Sequence, residues 1–471
     1  MEEFFKKANL TPRSGQLEAA QELAKLLRSN IAVGFEAPTG FGKTYVVLSA
    51  LWAEELLPTT WRVRTYAQAD HVATQALEAG LRPFIMGGRE RTCPLVEEYG
   101  AVLPWYCKLE RVRCPHFAKL VNAPSELSVR AVFSYEELRM RMDACVYYAQ
   151  ELISADIFIA PYKLGIRRTV TEVVDEAHNV IEIQSIREVD FVTALEEVGL
   201  DPDIGDEFDP RPLADHLEFA LVHHLVRSFT SQKLLRTLAR VTSFLRNAVT
   251  AWREEGEVHA LKVYKPRATK SVFVSATLSP VARALNIPLL SIPAQRRKVL
   301  VTTWLTTRYT DFDEKMINKY NNLISLLRAY ARRVLVFATK RVASVLSHDY
   351  YEDVPPDWQG VAALLSRGRK GEGVDVPADC VVVAGVPFLP PYVKLHRAGL
   401  THEDMALVTV VQNVGRTLRG PSANPLVVLA DERFLKLRAL EEYFELKPVN
   451  GLSELKELLK ARQQNSQPSP Q

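Results

Sequence analysis

The segment APTGFGKT, residues 37–44, restricts the possible folds of this 471-residue chain more than any other segment. It follows the apolar run 31–36 and precedes YVVLSALWAEELL, which has the pattern of a helix. In a glycine-rich turn between a strand and a helix, the backbone N–H groups of the turn and of the helix N-terminus point towards a common space, where they can bind phosphate. Lys43 would then reach the β- and γ-phosphates, and Thr44 would ligate Mg²⁺. The other residues expected to contact the nucleotide are Pro38, Thr39, Gly40, Phe41 and Gly42.

The usual first glycine of this motif is Ala37 here, but the second half of the motif is intact. A strand end downstream supports the same prediction, because the apolar run 172–176 continues into DEAH, residues 175–178. One carboxylate at such a position can hold the Mg²⁺ shell, and a second can orient the attacking water. We assign these roles to Asp175 and Glu176. Together the two segments predict nucleotide hydrolysis.

Short apolar runs alternate with helical patterns along two stretches of the chain. Continuous apolar strands separated by helices are typical of parallel sheets that are covered on both faces. The sequence therefore predicts two α/β domains with parallel sheets. The predicted strands are 31–36, 62–67, 156–160, 172–176 and 271–277 in the first domain, and 334–339, 361–366, 380–386 and 426–431 in the second.

Two regions interrupt this alternation. Residues 88–150 contain four of the five cysteines, and residues 183–260 have the pattern of helices around an acidic loop at 201–210. The polar, proline-containing tail 461–471 is expected to be disordered.

The four clustered cysteines are separated by gaps of 13, 6 and 30 residues; they are Cys93, Cys107, Cys114 and Cys145. An odd, low total of 5 cysteines argues against a disulfide framework and favours a reduced, cytoplasmic protein with a metal site. Structural zinc sites usually contain paired C-x₂₋₄-C knuckles, which no gap here matches. Thiolates also bind iron–sulfur clusters, so spacing alone leaves both metals open and favours iron–sulfur only modestly. Cys380 begins an apolar strand and is interpreted as core packing.

The bulk composition bears on partners. No stretch approaches the roughly 18–20 apolar residues of a membrane span, so no membrane association is expected. The formal net charge is only +3, so basic patches for an acidic partner must be sought locally.

Two further segments carry a resemblance to a known family. SATLS, residues 275–279, and QNVGRTLRG, residues 412–420, follow the phosphate loop and DEAH in the order found in superfamily-2 helicases. This resemblance implies that Ser275 and Thr277 couple hydrolysis to strand movement. It also implies that Gln412, Arg416 and Arg419 act at the γ-phosphate, where guanidinium groups stabilise transition-state charge.

Other segments resemble the XPD branch of that superfamily, in its archaeal type with a short arch region, and DinG-type helicases are near relatives. These segments are VRTYAQ (63–68), GGRERTCPL (87–95), CVYYAQELISADIFIAPYKLG (145–165), SRGRKGEGVDV (366–376) and LADERF (429–434). LTPRSGQ, residues 10–16, resembles the family's adenine-reading segment, which would place Arg13 and Gln16 against the base. A helix start at the same residues is the alternative, and both can hold at once.

The XPD resemblance implies a 4Fe-4S cluster held by the four clustered cysteines, which favours iron–sulfur over zinc. It further implies that Asp375 contacts the nucleotide and that Glu372 links the nucleotide to the DNA grip. Two RecA-like domains would flank one ATP. The expected boundaries are 1–87, 151–182 and 261–290 for the first RecA-like domain, 88–150 for the iron–sulfur domain, 183–260 for a small helical, arch-like insertion, 291–460 for the second RecA-like domain, and 461–471 for the tail.

Basic residues mixed with aromatic ones are what a single-stranded nucleic acid needs for backbone contacts and stacking. The candidate contacts are Arg64, Arg91, Arg111, Arg113 and Tyr147 around the cysteines, and Lys233, Arg236 and Arg240 in the insertion. The alternative for each of these cations is an ordinary solvated face.

The resemblance implies an ATP-dependent DNA helicase that moves on single-stranded DNA, 5′ to 3′, and acts in DNA repair. The expected ligands are ATP, Mg²⁺, and single-stranded and forked DNA. We expect a nucleoid-associated monomer that meets repair proteins. Two alternatives stay open, namely a DNA-binding ATPase switch or repair scaffold with little unwinding, and an RNA helicase.

Overall fold

Two parallel sheets form the framework of the chain. We describe it from a computed structural model that covers residues 1–122, 132–165, 169–227, 231–293, 295–368, 376–417 and 424–465. The chain divides into two units. The first contains Met1–Glu36, Phe41–Ser291 and Lys394–Leu400, and the second contains Ala37–Gly40, Ile292–Val393 and Thr401–Gln471.

The first unit is built on a seven-stranded sheet in the order β11-β1-β10-β5-β2-β4-β3, in which every neighbouring pair is parallel. Its strands are β1 (Ala32–Glu36), β2 (Thr59–Val63), β3 (Pro83–Ile85), β4 (Ile157–Pro161), β5 (Thr171–Val174), β10 (Lys270–Ser275) and β11 (Leu289–Ser291). The helices outside the two interrupting regions are α1 (Glu2–Lys7), α2 (Gln16–Ser29), α3 (Lys43–Ala53), α4 (Tyr66–Glu78) and α14 (Ser279–Leu285). The predicted parallel sheet is confirmed.

The second strand differs most from its predicted position. The run 62–67 was expected to be a strand, but β2 ends at Val63. Thr65 then caps α4, because its side chain accepts from Gln68 N while the Gln68 side chain accepts from the Thr65 N–H. This reciprocal cap satisfies two donors that would otherwise be left at the helix start, so the chain leaves the sheet early.

The insertion after DEAH is not purely helical. It contains a four-stranded antiparallel sheet in the order β6-β9-β8-β7, which the sequence prediction of helices missed. The apolar residues of 248–263 do not repeat at helical spacing, and these residues form two strands after the preceding helix has ended. Its elements are β6 (Ile181–Arg187), α11 (Glu188–Glu197), β7 (Glu207–Phe208), α12 (Pro210–Arg227), α13 (Gln232–Leu245), β8 (Ala248–Glu254) and β9 (Glu257–Val263).

The cysteine segment leaves the first sheet after β3 and returns before β4, which are neighbouring strands. Its neck is closed by Gln150, whose side chain accepts from Gly87 N at 2.6 Å and donates to Gly87 O at 3.0 Å. Trp105 is buried in a core that it shares with Phe191, Leu217 and other residues of the insertion. The described helices of this segment are α5 (Arg89–Thr92), α6 (Val96–Tyr99), α7 (Leu103–Glu110), α8 (Pro115–Asn122), α9 (Tyr135–Arg141) and α10 (Val146–Ala149).

The second unit contains another seven-stranded sheet, in the order β14-β15-β13-β16-β17-β12-β18, and all its neighbouring pairs are parallel. Its strands are β12 (Arg297–Thr302), β13 (Arg333–Ala338), β14 (Tyr350–Tyr351), β15 (Gly360–Leu365), β16 (Cys380–Ala384), β17 (Leu426–Ala430) and β18 (Phe444–Val449). Its helices are α15 (Glu314–Tyr330), α16 (Lys340–Ala343), α17 (His402–Arg416) and α18 (Leu452–Asn465).

Two apolar cores cover the opposite faces of this sheet. Successive residues of β13 alternate between them, with Leu335 and Phe337 in one core and Val334 and Val336 in the other. Cys380 is 1% exposed in the second core, as expected for a packing residue. Helix α18 runs to Asn465, so residues 461–465, predicted to be disordered, are helical, and 466–471 lie outside the described residues.

None of the helices in the described parts of the chain is long and apolar enough to cross a membrane.

Candidate functional site

The phosphate loop depends on glycine for its shape. Gly40 and Gly42 have φ angles of 83° and 85°, in the left-handed region that side chains with a Cβ avoid. Gly42 is the N-cap of α3, so Lys43 and Thr44 are the first two helical residues. Pro38 is half-buried, whereas Thr39 and Gly40 are exposed.

Gln16 holds this loop from the side. It is the first residue of α2, its amide nitrogen donates to Phe41 O at 2.6 Å, and its amide oxygen accepts from Arg13 N at 2.8 Å. At 3% exposure, this amide is committed to the protein backbone rather than turned towards solvent. The predicted helix start is confirmed at this residue. The predicted contacts of Arg13 and Gln16 with a base stay predictions.

Asp175 and Lys43 both follow strands at the same edge of the first sheet. Strands β1, β10 and β5 are parallel neighbours, so their carboxyl ends lie side by side. Lys43 follows β1 through the loop, and Asp175 follows β5 directly. Burial raises the pKa of the Asp175 carboxyl above its ordinary value, and the Lys43 ammonium is close enough to act against that rise. A cation and a carboxylate at such strand ends can together bind a phosphate and its Mg²⁺.

Three backbone and side-chain contacts fix Asp175. The Trp61 indole N–H donates to its Oδ2 at 3.2 Å, and Glu176 N donates to its Oδ1 at 2.8 Å. The buried Tyr162 hydroxyl donates to its carbonyl oxygen. Glu176 itself has a φ of 47°, in the left-handed region that residues with a Cβ rarely adopt. The sequence analysis missed Trp61 and Tyr162. The only indication in the sequence was that Trp61 lies in β2 and Tyr162 directly follows β4, two strands of the same sheet.

A chain of polar contacts joins DEAH to SATLS. His178 Nδ1 lies 2.8 Å from Ser275 Oγ, and Ser275 Oγ accepts from Thr277 N at 3.2 Å. On the other side, Asn179 Nδ2 lies 3.0 Å from His178 Nε2, and Asn179 Oδ1 accepts from Arg64 at 3.0 Å. The structure therefore brings the proposed coupling residues next to Arg64, a candidate nucleic-acid contact.

Several predicted site residues belong to the other unit or cannot be placed. Gln412 lies in α17 and is half-buried. The side chain of Arg416, and all of Arg419, Glu372 and Asp375, lie outside the described residues.

The four clustered cysteines influence one another. Burial raises the pKa of the Cys145 thiol to about 11, and the thiols of Cys107, Cys93 and Cys114 contribute to the rise. Burial also raises the pKa of Cys93, with smaller contributions from Cys107 and Cys114. In the part of the chain that the structure describes, no three Cys, His, Asp or Glu side chains are arranged to hold a metal ion. Four thiols are donors of the kind that an iron–sulfur cluster needs, but the described side chains are not gathered around a metal position.

Cations near these cysteines lie on aromatic rings. The Arg89 guanidinium lies 3.8 Å from the Tyr147 ring centre, and that tyrosine is 5% exposed, so its ring has no free face for a base. Arg91 lies 4.0 Å from the ring centre of Tyr66 and donates to a tyrosine hydroxyl. Arg111 contacts two rings at just over 5 Å from their centres. Arg113 is paired with Glu110 of its own segment at 3.5 Å and is exposed.

The basic face of α13 is partly neutralised by acids that are distant in sequence. Arg240 pairs with Asp190 at 2.6 Å. Arg236 packs near Gly100, and Lys233 is exposed. Arg240 therefore faces an acid of α11, and Arg236 lies near the backbone of the cysteine segment, which the local charge count could not reveal.

The second unit contains a pocket of about 350 Å³ at the carboxyl edge of its sheet. Two guanidinium groups and two aromatic rings line it, from Arg341, Arg433, Tyr309 and Phe388. Arg433 is held at 2.7 Å from Asp431, which is fully buried, and its guanidinium lies 5.8 Å from the Phe388 ring centre. A phosphate and a stacked base are the ligand parts that such a mixture suits. The sequence analysis did not select these residues, because they come from four separate strand ends.

Comparisons with known proteins agree with this architecture. Residues 331–445 match the family described as the helicase C-terminal domain. A solved XPD helicase superposes with a TM-score of 0.63 at 17% identity, and the match covers 93% of this chain and 100% of that one. The chain has the fold of an XPD helicase. Apo XPD gives 0.59 at 15% identity over 92% of this chain and 100% of that one, and S. tokodaii Xpd4 gives 0.59 at 14% identity over 93% and 100%.

No curated protein matches the chain. In an XPD fold, the two parallel sheets correspond to two RecA-like domains, and the residues matched to the helicase domain lie in the second sheet and its helices. This supports a helicase or ATPase, with ATP and Mg²⁺ as its ligands.

Proposed function

We propose that the chain is an ATP-dependent DNA helicase of the XPD family that moves along single-stranded DNA. The observation that carries the proposal is the placement of Lys43 and Asp175 at the same edge of the first sheet within an XPD fold. A fold alone does not imply an activity, whereas a cation and a carboxylate at the ends of two strands of one parallel sheet are groups that Mg²⁺-assisted phosphoryl transfer uses.

In this proposal the first unit supplies the groups for hydrolysis. Lys43 neutralises phosphate charge, and Thr44 and Asp175 hold the Mg²⁺ shell. Glu176 orients the attacking water. Gln412, Arg416 and Arg419 are proposed, from the resemblance, to act on the γ-phosphate.

The contacts with single-stranded DNA that we propose are made to its phosphates and by stacking on its bases, and not to the base edges. The pocket with Arg341 and Arg433 supports this for the second unit, and Arg64, Arg91, Arg111 and Arg113 are the candidates in the first. Movement from 5′ to 3′ and a role in DNA repair are proposed from the resemblance.

We propose a 4Fe-4S cluster on Cys93, Cys107, Cys114 and Cys145. Their shared electrostatic environment supports a common metal group. When bound, the cluster would hold the cysteine segment together through its thiolate bonds. Zinc is the alternative metal, and the six-residue gap between Cys107 and Cys114 fits neither a simple zinc knuckle nor a tight loop.

Unwinding of tailed duplexes tests the function. Duplexes of DNA and of RNA with either a 5′ or a 3′ single-stranded tail are mixed with the chain and ATP–Mg²⁺. We expect strand separation of the 5′-tailed DNA only, and its loss in Lys43→Ala. ATP hydrolysis without strand separation would instead indicate a DNA-binding switch, and activity on the RNA duplexes would indicate an RNA helicase.

The metal has its own test. Purified protein should be brown, absorb broadly near about 400 nm and contain iron, and Cys107→Ser and Cys114→Ser should bleach it. Cys380→Ser serves as the control, because this cysteine is buried in the other unit's core. A colourless protein that contains zinc would contradict the iron–sulfur proposal.

A further inference from the structure

An acidic residue stands at the end of the strand that feeds the phosphate loop. Glu36 is the last residue of β1, directly before Ala37, and it is 6% exposed. The four residues before it in β1 are apolar or glycine. Burying a carboxylate there costs folding free energy unless several hydrogen-bond donors satisfy it.

The donors come from the SATLS turn and from β11. Leu278 N and Ser279 N both donate to Glu36 Oε2, the latter at 2.7 Å. Ser279 Oγ lies 3.1 Å from each carboxylate oxygen. Ser291 Oγ donates to Oε1 at 3.1 Å. Two backbone amides and a hydroxyl of one turn therefore converge on a single side chain.

The same turn is held from its other end by the DEAH segment. Ser275 Oγ lies 2.8 Å from His178 Nδ1, three residues before Leu278. The SATLS segment is thus fixed on one side to the residues that follow β5 and on the other to the residue that precedes the phosphate loop. A shift of either loop changes the hydrogen bonds available to the turn between them.

We propose that Glu36 is a positioning residue that transmits the state of the phosphate loop to the SATLS turn. The proposal rests on the proposed ATPase function and deepens it, because it names the bond through which nucleotide binding reaches the residues expected to couple hydrolysis to strand movement. Glu36 touches neither nucleotide nor strand in this account. It acts by keeping Leu278 and Ser279 in register with β1.

A purely structural role makes a different prediction. If Glu36 only caps the short helix α14, its removal lowers thermal stability and affects all kinetic constants together. If Glu36 couples the two loops, its removal affects the kinetic constants unequally. The stimulation of ATP hydrolysis by single-stranded DNA then falls more than the apparent affinity for ATP.

The test compares Glu36→Ala, Glu36→Gln and Ser291→Ala. Glutamine keeps one acceptor oxygen for the two amides and can place its NH₂ towards the serine hydroxyls, so it should rescue. Ser291→Ala removes one bond to the same carboxylate and leaves the SATLS contacts, so it is the matched control. We expect Glu36→Ala to lower the DNA-stimulated kcat about tenfold, as for a lost charged hydrogen bond, while KM for ATP rises less than about threefold.

Amide hydrogen exchange gives a readout that does not need activity. In the original chain the amides of Leu278 and Ser279 should be protected, and ATP should alter the exchange of residues 276–286. In Glu36→Ala this protection, and the response to ATP, should be lost, and Glu36→Gln should retain both.

The outcomes separate the two proposals. Wild-type protein without ATP hydrolysis overturns the proposed function, while the exchange experiment still decides the role of Glu36. The coupling role would be overturned if Glu36→Ala changed kcat, KM and melting temperature to the same extent. It would also be overturned if the alanine and glutamine variants had the same kinetic constants and the same amide exchange.

Discussion

At the scale of single residues, the phosphate loop is sensitive to any added side chain for two separable reasons. Gly40 and Gly42 have φ angles of 83° and 85°. A Cβ on Gly40 would meet open space, whereas one on Gly42 would overlap the Gln16 amide that holds the loop. Backbone strain is thus common to both positions, and the steric conflict occurs only at the second.

We therefore expect Gly40→Ala to cost about 1–2 kcal/mol of stability, from the left-handed backbone alone. Gly42→Ala should cost more, because Gln16 must also give up its bond to Phe41 O. Denaturant unfolding of both variants without nucleotide measures this, and Gly42→Ala combined with Gln16→Ala should recover part of the difference. Equal costs for the two single variants would show that the Gln16 contact is unimportant.

A buried ion pair joins two strands of the same sheet, β2 and β5. Arg62 and Glu172 lie 2.5 Å apart at 1% and 2% exposure. Glu172 also accepts from the Tyr264 hydroxyl and from Arg267 N at 2.8 Å. Burial alone would raise the pKa of Glu172, but Arg62 and these donors outweigh it and lower that pKa below its ordinary value.

Glu172→Gln should destabilise the chain by about 3–5 kcal/mol, because it leaves the Arg62 charge buried without its partner. A carboxylate with a lowered folded-state pKa stabilises above its unfolded pKa, near about 4.3, and this contribution is lost as pH falls through the folded value. The gap in melting temperature between the original chain and Glu172→Gln should therefore narrow below about pH 4. Lys298→Ala, which removes an exposed pair, is the control and should show almost no gap at any pH.

At the scale of elements, helix α13 shows how far a periodic pattern can be trusted. Leu238, Val241 and Leu245 repeat at helical spacing and are all fully buried. Val249 continues the same spacing, but the helix ends at Leu245 and Val249 belongs to β8. Its basic face carries two kinds of cation, one paired at 2.6 Å with Asp190 and one exposed.

Charge reversal should separate these two kinds. Arg240→Glu places a carboxylate against Asp190 and should lower the melting temperature, because like charges in contact repel. Lys233→Glu should leave the melting temperature nearly unchanged. If α13 contacts a phosphate backbone, Lys233→Glu should reduce the slope of log K against log salt by about 1. A slope that is unchanged in Lys233→Glu would assign this face to solvent.

At the scale of the whole molecule, two short segments belong to a different unit from their neighbours in sequence, and the longer of them is Lys394–Leu400. Residues Lys394–Leu400 belong to the first unit although the residues on both sides belong to the second. Leu395 and Leu400 are 1% and 2% exposed. Glu207 of β7 accepts from Arg397 at 2.8 Å and lies 3.7 Å from the Lys394 ammonium.

Glu207→Lys would bring three cations together, so we expect this segment to loosen. Limited digestion with trypsin should then cut faster after Lys394 and Arg397 than in the original chain, because cleavage reports the population of locally opened states. Glu257→Lys, a reversal of an exposed acid on β9, is the matched control. Unchanged cleavage would mean that burial of the two leucines holds the segment by itself.

The sequence was a good guide wherever a residue's environment is set by its neighbours along the chain. Both parallel sheets and the strand ends with Lys43 and Asp175 could be predicted, because apolar runs and turn residues are local signals. Glu36, Trp61 and Tyr162 could not, since their partners lie between 13 and 255 residues away. The antiparallel sheet of the insertion was missed for the same reason: its strands pair across helices, and their amphipathic pattern is short.

The neck of the cysteine segment determines where this segment can be separated from the first sheet. Gly87 and Gln150 form a two-way amide clasp, and the strands on either side of it, β3 and β4, are already neighbours. The first sheet therefore does not need residues 88–149 to bring those strands together. The clasp marks where the segment can be separated from the sheet, whereas Trp105 still ties the segment to the core of the insertion, so a shortened chain would also have to fill the space that Trp105 leaves.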